Sequence, residues 1–129
     1  PITSVDKMTA FCNQAVHLTG IEKMAMPDNL IWRVELKELP QDIFKYKGYG
    51  GYFFEYRASS LSEVARILTG KYQTLSYYGM EKESLTEFMA VAKPRGADRI
   101  VPIGRTMDFA LTWDGINLID TLSRKITVL

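Results

Sequence analysis

The chain has 129 residues, the ordinary size of one domain and enough to bury one core. Hydrophobic residues make up 47% and charged residues 24%, a folded globular composition that excludes a disordered tract. Sixteen basic against fifteen acidic residues leave a formal charge of +1, which argues against nucleic acid as the main partner.

A first helix is predicted, capped by Thr3 or Ser4, with Val5, Met8, Cys12, Ala15 and Val16 as its buried stripe and Phe11 on the flank. Gly20 closes it. Pro27, Asp28 and Asn29 form a turn. Trp32, Val34 and Leu36 then alternate with Arg33, Glu35 and Lys37, the pattern of a strand with one wet face. Residues 38–51 read as a loop holding Pro40 and the run Gly48, Tyr49, Gly50, Gly51, and residues 52–56 as an aromatic strand. Ser60 and Glu63 have capping-box spacing ahead of a short helix with Leu61, Val64, Ala65 and Leu68 inward, closed by Gly70. Residues 72–78 have strand composition. A second box, Ser84 to Glu87, opens a helix carrying Leu85, Phe88, Met89 and Ala92, ended by Pro94 and Gly96. Residues 99–103 make a strand in which Pro102 sits where no ladder donor is needed. Asp114 and Gly115 turn the chain, with Asp114 capping a helix that bears Ile116, Ile119 and Leu122, and 125–129 are extended. Strands alternating with helices from residue 52 onward imply one α/β domain over 1–129, a mainly parallel sheet with helices on its faces.

Few residues carry obvious chemistry. Cys12 is the lone cysteine and His17 the lone histidine, so neither an internal disulfide nor a Cys/His zinc site can form. No calcium-loop spacing appears, and no metal site is expected. No apolar run approaches the roughly 20 residues of a membrane span, and residues 1–8 lack a signal-peptide layout. A soluble, cytoplasmic chain is expected. The loop 48–51 could bring backbone close to a ligand, yet it opens a strand and matches no phosphate-loop pattern, so a turn into the sheet is the plainer reading. Cys12 falls mid-helix among apolar positions and reads as a small core residue; His17 lies roughly 140° around the helix from it. Arg99, Arg105, Asp108, Asp114 and Arg124 read as ion pairs and caps, and Phe109 and Trp113 as buried anchors. The Pro1 secondary amine could act as a general base, although it leads into a helix rather than a core strand.

Residues 96–105, Met107 to Phe109, Trp113 to Gly115 and Leu122 to Arg124, read as DRIVPIG…DF…WDG…LSR, resemble the closing segment of the bacterial long-chain fatty acyl-CoA reductases, the aldehyde-supplying enzymes of bioluminescence. Residues 51–68 and 73–75 follow the same family order, and the first 45 match loosely. The resemblance implies an aldehyde dehydrogenase-like fold, of which this chain is similar to the second half of the catalytic domain, with 126–129 as a final strand used in oligomerisation. It implies fatty acyl-CoA as substrate, NADPH as hydride donor and a thioester on a cysteine. That cysteine and the dinucleotide-binding half lie upstream of the glycine-rich loop in the family, and Cys12 does not sit in the nucleophile motif. Lys47 and Gly48 stand where a ribose-binding Glu is often found, so only Tyr49 and Gly50 carry over as cofactor-binding positions.

The chain is therefore expected to be a C-terminal fragment of such a reductase, with no catalytic residue of its own and inactive alone. Its expected partners are the remainder of the reductase chain and further copies of itself. Two alternatives remain at this point: a free-standing α/β interaction module, which predicts no large exposed apolar face, and a Pro1-dependent tautomerase.

Overall fold

The computed structural model describes residues 2–129; the Pro1 base lies outside the described residues. The chain is mixed α/β and divides into two compact units, one ending at Glu63 and one beginning at Val64.

The first unit opens with α1, Ile2–His17. The predicted helix forms, but its predicted stripe faces outward: Val5, Met8, Cys12 and Val16 are all exposed. The buried residues are Lys7 and Gln14, only 3% and 8% accessible. The reason lies in what the helix packs on. Irregular backbone leaves carbonyls that must find donors, and α1 supplies them from its polar face. Gln14 Nε2 donates to the Tyr46 carbonyl at 2.9 Å, and its Oε1 accepts from the Tyr52 hydroxyl at 2.6 Å.

Strand β1, Ile21–Ala25, was not anticipated, because five residues containing Glu22 and Lys23 carry no clear alternation. It pairs antiparallel with β2, Trp32–Leu36, which pairs parallel with β3, Tyr52–Tyr56. The β2 alternation is as expected: Trp32, Val34 and Leu36 are buried and Arg33 is exposed. The expected turn at Asp28 is built by its own side chain, which accepts from the amides of Leu30 at 2.7 Å and Ile31 at 3.0 Å. Those amides, with the Lys7 charge adding to them, hold the Asp28 carboxyl below its usual value. Within the predicted loop, Ile43–Tyr46 forms a 3₁₀ turn that buries Ile43.

Helix α2, Leu61–Ala65, is shorter than predicted. The capping box is replaced by another arrangement. Ser60 Oγ meets Ser62 Oγ at 2.6 Å, while Glu63 accepts from the Ser59 amide at 3.2 Å and the Tyr56 hydroxyl at 2.7 Å.

In the second unit, β4, Thr74–Tyr77, pairs parallel with β5, Arg99–Pro102, across α3, Lys82–Ala92. Helix α3 begins two residues before the predicted box, so Ser84 is interior. Glu81 holds the cap position without a side-chain hydrogen bond. Leu85 and Phe88 are buried as predicted. The Asp114–Gly115 turn forms, with φ of +50° and +77°, and joins β6, Thr112–Trp113, to β7, Ile116–Asn117, as a two-residue hairpin. Asn117, not Asp114, caps α4, Leu118–Leu122, through 3.0 and 3.3 Å bonds to the Ile119 and Asp120 amides. Residues 124–129 belong to no helix or strand.

The described strands thus form three small sheets, with parallel pairs β2–β3 and β4–β5 and antiparallel pairs β1–β2 and β6–β7. No single, mainly parallel sheet forms among the described residues. No described helix is long and apolar enough to cross a membrane.

Candidate functional site

The glycine-rich loop enters β3 beneath the middle of α1. Lys7 reaches it from the helix, and its ammonium donates to three backbone carbonyls: Asn29 at 2.5 Å, Gly50 at 2.9 Å and Leu30 at 3.1 Å. Three protons thus meet three acceptors from two loops. The same ammonium lies 5.7 Å from the centroid of the buried Trp32 ring, a cation–π contact. Trp32 Nε1 is itself buried without a hydrogen-bond partner among the described residues.

The glycines are accounted for largely by the chain's own packing. A Cβ on Gly48 would lie 2.4 Å from the Tyr52 ring. Gly51 has φ +85°, and a Cβ there would stand 2.0 Å from the Leu30 carbonyl oxygen. Of the two positions expected to bind cofactor, Gly50 turns its carbonyl to Lys7, while Tyr49 keeps an exposed ring beside Asp6. Desolvation, then Asp6, raises the Tyr49 pKa. The exposed Tyr49 ring is the part of this pair open to a ligand.

Tyr52 lies at the centre of the first unit, only 4% exposed, and burial pushes its hydroxyl up to about 12. The folded-state pKa is raised, so its contribution is fully present below the unfolded value near 10 and is lost as pH rises toward 12. We expect the unfolding free energy to fall by roughly 2–3 kcal/mol across that window. Denaturant titrations of the natural chain and of Tyr52→Phe should differ there by this amount. Equal slopes would mean that the hydroxyl is not held neutral by the fold.

The predicted charge cluster at the end of the chain assembles only in part. Arg99 lies 4.0 Å from the Trp113 centroid and donates to the Thr106 and Asp108 carbonyls at 3.1 and 2.8 Å. Arg105 pairs with Asp108 at 2.6 Å. Phe109 stacks on Trp113 at 5.3 Å, but it is 71% exposed, so it is no buried anchor. Its neighbours are too sparse to cover it. Arg124 and Asp114 do not join the cluster through any ion pair among the described residues.

Cys12 is exposed on α1, not in the core. His17 ends the same helix with Nδ1 2.7 Å from the Asn13 carbonyl. The pair has no shared geometry for nucleophilic chemistry. Among the described residues, no group of three or more His, Cys, Asp or Glu could hold a metal ion. Sequence reading missed Lys7 and Gln14. Their separation of seven residues, two turns on one face that also carries Leu18, was the available signal. No protein-family model matches the chain, and no curated protein or solved structure matches it significantly.

Proposed function

We propose that the chain is the C-terminal portion of a cytoplasmic, NADPH-dependent long-chain fatty acyl-CoA reductase. In that enzyme a cysteine thiolate outside this chain attacks the acyl-CoA carbonyl and coenzyme A leaves as its thiolate. Hydride from NADPH adds to the resulting enzyme thioester, and collapse expels the cysteine thiolate to give fatty aldehyde and NADP⁺. This chain supplies one wall of the cleft, with Tyr49 and Gly50 toward the cofactor. Residues 126–129 supply an interface strand, formed when a partner strand lies beside them. The mainly parallel, aldehyde dehydrogenase-like sheet belongs to that complete assembly.

One observation carries this reading beyond the motif string. No residue from 102 to 129 is buried, although the segment contains Met107, Phe109, Leu111, Ile119, Leu122, Ile126 and Val128. Together with the outward stripe of α1, that leaves many large apolar side chains for a partner to cover. An interaction module with a closed surface fits this poorly. The isolated chain, given fatty acyl-CoA and NADPH, is expected to form no aldehyde. NADPH-dependent aldehyde formation that survives Cys12→Ala would overturn the assignment.

A further inference from the structure

Between α3 and the β4–β5 pair lies a cleft of about 270 Å³ that the reductase reading leaves unused. Tyr77, Lys82, Leu85, Thr86, Met89 and Ile100 line it. We propose that this cleft binds a medium-chain aliphatic carboxylate, with the alkyl tail against Leu85, Met89 and Ile100 and the carboxylate on the Lys82 ammonium.

The lining determines the class of ligand. Leu85, Met89, Ile100 and the Tyr77 ring offer dispersion and no paired donors and acceptors, so they do not orient a polar metabolite. Met89 adds an unbranched thioether that adapts to a flexible chain. The Thr86 hydroxyl is already committed, donating to the Lys82 carbonyl at 2.9 Å. Size narrows the choice further. A closed apolar cavity of about 150 Å³ takes up benzene, and this larger cleft, open to solvent, has room for an alkyl chain of about eight carbons with its head at the mouth.

Lys82 makes no ion pair among the described residues. It begins α3, whose first amides receive no side-chain cap, and both features favour an anionic head. Glu81, Glu83 and Glu87 do not line the cleft. An aliphatic amine or a neutral tail would leave Lys82 unanswered.

The proposal stands on the cleft alone and does not rest on the reductase reading, whose failure shows in the aldehyde assay. Octanoate and octanol are titrated into the full chain while the Met89 and Ile100 methyl resonances are followed by NMR. Octanoate is expected to bind saturably and shift both methyls. Lys82→Gln, an exposed change that leaves the core intact, is expected to weaken octanoate by about fivefold and leave octanol unchanged. Wild-type chain is expected to bind octanol about fivefold more weakly than octanoate. Absence of saturable shifts at both methyls would overturn the proposal. Equal binding of the acid and the alcohol would also overturn it, and would mark the cleft instead as a groove for an apolar protein segment.

Discussion

Replacing Lys7 with Met is expected to destabilise the first unit by about 3–5 kcal/mol. The alkyl stem would be kept, so packing is nearly conserved and the loss isolates the ammonium. The carbonyls of Asn29, Leu30 and Gly50 would lose the charged donor they share. Hydrogen bonds from a charged donor contribute about 1.5–3 kcal/mol each, and these partly buried carbonyls regain only part of that from water. Lys7→Arg should rescue little, because a planar fork cannot direct three protons at three carbonyls converging on one nitrogen. Denaturant unfolding followed by tryptophan fluorescence measures the change, since Trp32 lies under the same ammonium. A loss below about 1 kcal/mol, the scale of a surface ion pair, would show that the three bonds are not formed in solution.

Gly51→Ala is expected to cost about 3 kcal/mol or more, from two sources acting together. The backbone stands at φ +85°, where an L side chain is strained, and the new methyl would press to 2.0 Å from the Leu30 carbonyl oxygen. Backbone cannot rotate away as a side-chain tip can. The Leu30 carbonyl also accepts from Lys7, so relief of the clash breaks the latch. The two substitutions should therefore be non-additive: Lys7→Met with Gly51→Ala should cost clearly less than their sum. Simple additivity in the double variant would mean that loop and helix are fixed independently.

The sequence made the elements of this chain more legible than their faces. The alternation in Trp32 to Leu36 marks both a strand and its buried side, because a period of two leaves only two choices and the apolar one packs. Helix α1 is different. Its apolar spacing is helical, yet the side that docks is set by loop carbonyls needing donors, which no periodicity records. Capping was misread for a related reason. The serine boxes have the right spacing, but Ser60 finds Ser62 and α3 starts upstream of Ser84, while Asn117 was overlooked as a cap beside the more conspicuous Asp114. The extended residues 125–129 gain no strand here, since a strand exists only with a neighbour to bond. For the candidate site, the loop 48–51 was found from its glycines. The cation that fixes it, Lys7, looked like one charged helix residue among many.

Apolar side chains at Ile2, Val5, Met8 and Val16, and along residues 103–129, are exposed, and the proposal that this chain is one part of a larger enzyme rests on them. The most direct test is to produce the chain together with the nucleophile-bearing, dinucleotide-binding half of a long-chain fatty acyl-CoA reductase. Aldehyde formation and methyl protection at Val5, Met8, Leu122 and Val128 are then followed together. A stable complex is expected, in which those methyls become protected and NADPH-dependent aldehyde appears. A chain that stays monomeric beside that half, with the same methyls open to water and no aldehyde formed, would contradict it.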